Sequence, residues 1–112
     1  RPRRVGLATA RGLGFLGEGL DGAEAVRMGL ANRHYPDDGF FEAALAFAEK
    51  VASKAPLSIA LAKEQLTFSG ERTLDACLTA ELEGMTFVGT TRDWQEGVDA
   101  FAEKRTPRFQ GK

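Results

Sequence analysis

The sequence lacks several features that mark whole classes of protein. Its one cysteine, Cys77, excludes an intrachain disulfide and gives no sign of an oxidising compartment. No run approaches the roughly eighteen apolar residues of a membrane span, and no secretory signal is visible. With 15 basic and 16 acidic residues, the chain lacks the strongly basic face of a nucleic-acid-binding protein. We therefore expect a soluble cytoplasmic protein with no membrane or nucleic-acid partner, or a matrix or plastid form without its transit peptide.

Groups that carry out chemistry are also scarce. The one histidine, His34, has no cysteine or carboxylate at metal-ligand spacing and no nucleophile pattern around it, so we expect it at the surface. Asp37 and Asp38 are adjacent and point in different directions, which favours helix capping over an acid/base pair. Glu81 and Glu83 fall on different faces of a predicted helix. The sequence therefore predicts no catalytic residue and no metal site.

Helical periodicity is the feature that the sequence does show. Asp21 with Glu24 three residues later is typical of a helix N-terminus, and Thr73 and Thr91 are placed to cap later helices. Glycines at 17 and 19, with Glu18 between them, predict a break. The fold class is therefore all-α with little or no sheet, in about six helical segments. These are residues 5–16, 22–28, 39–54, 56–70, 74–89 and 92–104.

Several of these helices carry apolar residues at helical spacing, among them Leu74, Leu78, Leu82 and Met85 of the segment 74–89. The segment 39–54 has an apolar face so wide that it requires partners on more than one side. The last helix places Trp94, Val98 and Phe101 on one stripe. We expect such faces to contact protein outside their own helix.

The two ends of the chain allow more than one interpretation. The chain opens with Arg1, Pro2, Arg3 and Arg4 and has no initiator methionine, as a segment of a longer polypeptide would. A trimmed tag or missing leading residues would give the same beginning. Residues 105–112 contain three basic side chains and no acid, a composition that fits either the steering of a phosphate-rich ligand or an exposed, disordered end.

Three stretches, in order, resemble the enoyl-CoA hydratase/isomerase (crotonase) family. They are residues 19–33 (GLDGAEAVRMGLANR), 55–63 (APLSIALAK) and 96–109 (EGVDAFAEKRTPRF). The last is similar to the family's E-G-hydrophobic-x-A-F-x-E-K-R-x-P-x-F ending. The resemblance covers essentially the whole chain. It implies that residues 1–112 are the C-terminal helical domain of a crotonase-type fold, and that the N-terminal αβ spiral core is absent from this chain.

The resemblance also implies a chemistry and its partners. The substrate would be an acyl-CoA thioester, with coenzyme A as part of the substrate and no separate cofactor. The oxyanion-binding N–H groups and the two glutamates of hydratase members belong to the N-terminal core. The parent would hydrate or isomerise enoyl-CoA, while this chain alone would be inactive. Its helices would cover the acyl pocket and build a trimer or a dimer of trimers.

Three residues are implied in coenzyme A contact: Phe101, Lys104 and Met85. An aromatic face can stack on adenine, and a lysine can pair with a phosphate as a point charge. The alternatives are core packing for Phe101 and, for Lys104, a solvated lysine favoured by the helix dipole. Met85 falls where some family members place an aromatic residue. A different function also stays open, namely a stand-alone helical module that self-associates and does no chemistry.

Overall fold

The computed structural model describes residues 2–17 and 19–112, in which every regular element is helical. The chain divides into two compact units, Arg1–Ala46 and Phe47–Lys112. The predicted all-α fold class is therefore confirmed for the described residues. None of their helices is long and apolar enough to cross a membrane. The α-helices are α1 (Pro2–Val5), α2 (Leu7–Leu16), α3 (Gly22–Arg27), α4 (Phe40–Ala52), α5 (Pro56–Phe68), α6 (Leu74–Gly89) and α7 (Arg92–Ala102), with a 3-10 turn at Ser69–Glu71.

The start of the first unit differs from the single helix predicted over residues 5–16. Two helices, α1 and α2, meet at Gly6, which has a φ of 80°. A right-handed helix cannot pass through a residue with positive φ, so the chain breaks there. The predicted break after α2 is confirmed at Gly17, where φ is 64° and the N–H donates to the carbonyl of Leu13 at 3.2 Å. Glu18, at the centre of that prediction, lies outside the described residues.

Helix α3 begins as the sequence predicts. The carboxylate of Asp21 accepts a hydrogen bond from the N–H of Glu24 at 2.7 Å, and Glu24 pairs with Arg27 at 3.4 Å. The ring of His34 lies directly over Gly22, where any β-carbon would overlap the imidazole. His34 is exposed, as expected, but its ring also packs against Gly22, the first residue of α3, so the segment after α3 lies against the start of that helix.

In the second unit, the predicted threonine caps are confirmed. Thr73 accepts from the N–H of Ala76 at 3.3 Å, and Thr91 accepts from the N–H of Trp94 at 3.1 Å. These bonds satisfy first-turn N–H groups that have no partner within the helix. Sequence patterns of three or four residues are sufficient to locate such helix starts.

Helices α5 and α6 approach each other closely at Gly84. The side-chain amide of Gln65 donates to the carbonyl of Ala80 at 2.8 Å, and a β-carbon at Gly84 would lie 2.6 Å from that amide nitrogen. Gly84 is itself buried. The absence of a side chain at this position therefore allows the hydrogen bond between the two helices.

Few side chains of the described residues are fully buried. Among the described residues, Ala100, at 2% exposure, is the one buried hydrophobic side chain, and Asp93, at 4%, is the one buried polar side chain. Large apolar side chains are exposed on several helices, and extended patches of this kind mark interaction surfaces. On α4 they are Phe40, Phe41, Leu45, Phe47 and Val51, and on α6 they are Leu74, Leu78, Leu82, Met85 and Phe87.

Candidate functional site

The end of the chain is fastened to the start of α7. The buried carboxylate of Asp93 accepts hydrogen bonds from the N–H groups of Gln110 and Gly111 at 2.7 and 2.8 Å. The N–H of Asp93 donates to the carbonyl of Lys112 at 3.1 Å. An acid in the first turn of a helix is also favoured by the helix dipole. The interpretation of residues 105–112 as a disordered end is therefore wrong.

A second set of hydrogen bonds joins the middle of α7 to the tail, residues 105–112. Glu96 receives two hydrogen bonds from the guanidinium of Arg105, at 2.6 and 2.9 Å, and a third from the N–H of Arg108 at 2.6 Å. Arg105 also donates to Glu103. The hydrogen bond from Arg105, and then that from Arg108, lower the pKa of Glu96 from 4.5 to about 2, although partial desolvation opposes them. The charge of Arg105 is therefore committed to protein carboxylates.

With the tail in place, a cleft of about 350 Å³ forms beside α7. Phe109 lies against Gly97, where a β-carbon would be 3.7 Å from the phenylalanine ring. The lining is mainly apolar and contains three aromatic rings, a composition that suits a flat ring or an aliphatic chain. The lining residues are Ala55, Ser58, Val88, Asp93, Trp94, Gly97, Val98, Phe101 and Phe109.

Phe101 lies in the last turn of α7, and Lys104 lies two residues beyond the end of that helix. Phe101 lines the cleft and is 88% exposed, so it does not pack in a core formed by the described residues. Lys104 follows the helix with a φ of 54°, and α7 ends at Ala102, two residues before the predicted boundary. Its ammonium has no ion pair with any described residue. An exposed ring and a cation without an ion pair to any described residue therefore lie three residues apart in the sequence.

Met85 lies apart from this pair, on α6. It is exposed and lines a neighbouring depression of about 210 Å³, which shares Ser58, Val88 and Trp94 with the first cleft. Trp94 was not among the predicted site residues, although it lines both depressions. Its position seven residues before Phe101, two turns along one stripe, was the signal available in the sequence. The coenzyme A roles of Phe101, Lys104 and Met85 stay predictions.

Comparison with known proteins gives a consistent family across the chain. The sequence model described as enoyl-CoA hydratase/isomerase matches residues 1–112. The 2,3-dehydroadipyl-CoA hydratase of Escherichia coli (strain K12) is 37% identical over 110 residues, 98% of this chain and 43% of that protein. Human enoyl-CoA hydratase domain-containing protein 2, mitochondrial, is 37% identical over 117 residues, 99% of this chain and 39% of that protein.

The fold is similar to that of solved members as well. The crystal structure of an enoyl-CoA hydratase from Bacillus anthracis superimposes with a TM-score of 0.92 at 35% identity, covering 99% of this chain and 43% of the other. The chain therefore spans less than half the length of the proteins that it matches.

Proposed function

We propose, because this chain belongs to the enoyl-CoA hydratase/isomerase family, that it is the C-terminal helical part of an enzyme that hydrates or isomerises enoyl-CoA thioesters. The observation that carries the proposal is the exposed ring of Phe101 on an apolar cleft, followed three residues later by Lys104, which has no ion pair with any described residue. Adenine presents a flat face for stacking, and its nucleotide carries phosphates. Those are the groups that an aromatic ring and a lysine recognise.

The second part of the proposal is assembly. The exposed apolar side chains of α4 and α6 support contacts with the N-terminal core of the same enzyme and with further copies in a trimer or dimer of trimers. In this scheme the catalytic groups belong to the core, and the helical part alone has no hydratase activity. We propose a cytoplasmic location, although the name of the human relative places that protein in mitochondria.

Binding of coenzyme A to the complete polypeptide tests the contact. We expect Phe101→Ala to weaken binding about tenfold in titration calorimetry, the effect of losing one stacked base. Phe15→Ala is the matched control, because Phe15 is an exposed phenylalanine on α2 and should leave affinity unchanged. Equal affinities for the wild type and Phe101→Ala would contradict the contact.

The interaction-module alternative predicts a different pattern. The same exposed faces on α4 and α6 would then drive self-association, and no hydration of crotonyl-CoA would accompany it. Sedimentation equilibrium and a crotonyl-CoA assay on the complete polypeptide separate the two functions. Self-association without coenzyme A binding or turnover would favour the module, whereas turnover by residues 1–112 alone would overturn the placement of catalysis in the core.

A further inference from the structure

Lys104 has a backbone conformation that is unusual for its residue type. Among residues 2–17 and 19–112, it is the one residue other than glycine with positive φ, at 54°. The N–H of Arg105 donates to the carbonyl of Ala100 at 3.0 Å, and the N–H of Lys104 donates to that of Phe101 at 3.3 Å. Glycine is the usual residue at this point of a helix ending, because its lack of a β-carbon permits the left-handed conformation.

The guanidinium of Arg105, the residue after Lys104, binds the carboxylates of Glu96 and of Glu103, the residue before Lys104. Arg105 donates through two nitrogens to Glu96 and through the third to Glu103. Glu96 lies nine residues before Arg105 and also holds the N–H of Arg108. The turn at Lys104 is therefore closed by contacts that do not involve its own side chain.

Neither of these two carboxylates is paired with the ammonium of Lys104. Glu96 and Glu103 both accept hydrogen bonds from Arg105. A two-oxygen carboxylate facing a guanidinium fork is a geometry that a lysine cannot match. Lys104 forms no ion pair with any described residue, so its charge is available to an external anion.

We infer that Glu96 and Arg105 are positioning residues, which hold Lys104 in its left-handed conformation so that its ammonium meets a phosphate of the coenzyme A thioester beside Phe101. This inference rests on the proposed function. A backbone that relaxed to negative φ at residue 104 would redirect the lysine side chain. The ion pair between Glu96 and Arg105 therefore acts on the ligand through Lys104 and touches no ligand itself.

Whether one substitution weakens or strengthens coenzyme A binding tests the positioning role. Glu96→Gln keeps an oxygen acceptor for the N–H of Arg108 but removes a negative charge from α7. Simple Coulomb attraction would then strengthen anion binding, whereas loss of positioning weakens it. We expect the Kd for coenzyme A to rise about fivefold, the factor that release of one left-handed residue corresponds to. Asp99→Asn is the matched control, since it removes a charge from the same helix outside the Arg105 contacts and should leave the Kd unchanged or lower it.

Pantetheine separates positioning from general damage, because it lacks the nucleotide and its phosphates. In calorimetry on the complete polypeptide, Glu96→Gln should weaken coenzyme A and leave pantetheine unchanged. Arg105→Lys, which keeps the charge but loses the fork, should act in the same direction. Equal losses for both ligands, or a Glu96→Gln Kd that follows Asp99→Asn, would overturn the positioning role. A wild type that binds no coenzyme A would instead contradict the proposed function, and this inference with it.

Discussion

Asp21 in the first unit and Asp93 in the second are both acids near the start of a helix, yet they accept hydrogen bonds from different parts of the chain. The exposed carboxylate of Asp21 accepts a hydrogen bond from the N–H three residues ahead and caps its own helix. The buried carboxylate of Asp93 reaches N–H groups 17 and 18 residues ahead and fixes the end of the chain. The same residue type near a helix start thus has a local role in one unit and a tertiary role in the other. Asp21 is the N-cap of α3, whereas Asp93 lies inside the first turn of α7, is buried, and faces the tail.

The largest expected effect tests this contrast directly. We expect Asp93→Ala to lower the free energy of local opening of the tail by about 3 kcal/mol, because two part-buried, charge-assisted hydrogen bonds are lost. Asp21→Ala should cost about 1 kcal/mol, the usual value of a helix cap. Hydrogen exchange at Gln110, Gly111 and Glu24 reports both. Equal losses for the two substitutions would break the comparison.

A smaller effect is expected where α5 and α6 touch. Gly84→Ala would place a β-carbon 2.6 Å from the amide nitrogen of Gln65 and displace its bond to Ala80. We expect a loss of about 2 kcal/mol, from overpacking together with an unmade hydrogen bond. Gly89→Ala is the control, since nothing lies within 4 Å of a β-carbon there. If thermal unfolding showed both variants to be equally stable, the close approach of the two helices would not contribute to stability.

In the first unit, a glycine-to-alanine substitution is expected to destabilise the fold at one site and to stabilise it at the control site. Gly22→Ala is expected to destabilise the segment by about 1 kcal/mol, because the exposed ring of His34 must rotate away. Gly12→Ala, in open space within α2, should instead stabilise by about 1 kcal/mol, since alanine is the better helix former. Circular dichroism during thermal unfolding measures both, and adding His34→Ala should recover the loss at Gly22. Stabilisation by Gly22→Ala alone would show that His34 does not restrain α3.

The smallest effect concerns the exposed ion pair of Glu96. Its pKa is lowered from 4.5 to about 2 in the folded chain, so its contribution to stability is present above pH 4.5 and is lost as the pH falls towards 2. We expect the hydrogen-exchange protection of the Arg108 amide to fall in that window for the wild type. Glu96→Gln should remove this dependence on pH, and high salt should weaken it. A wild-type profile that stayed flat from pH 5 to about 2 would contradict the ion pair.

Helix starts were predictable because capping is a local event. The caps at Asp21, Thr73 and Thr91 each depend on a side chain and an N–H three residues later, all within the range of a sequence pattern. The break at Gly6 was not predicted, because glycine is compatible with both a weak helix and a turn. A sequence pattern cannot choose between those conformations when the neighbouring residues favour a helix.

The candidate site was predictable in part. Resemblance singled out Phe101 and Lys104; the ring of Phe101 is exposed, and Lys104 has no ion pair with any described residue. The basic tail suggested unpaired charge, however, whereas Arg105 is paired with Glu96, nine residues away. The cleft beside Trp94 could not be foreseen either, because one of its lining residues, Phe109, belongs to the tail and packs against Gly97 of α7. Contacts that depend on a reversal of the chain have no fixed spacing in the sequence.

The sequence by itself determined the helical class, most helix starts and the family, because these depend on periodicity, capping and motifs within short windows. Tertiary structure alone decided that Asp93 and Glu96 hold the tail, that α7 ends at Ala102, and that Lys104 forms no ion pair with another described residue. The physical reason is distance along the chain. A carboxylate has the same chemistry at every helix start, and its partner is fixed only when folding brings a remote N–H or guanidinium within hydrogen-bonding distance.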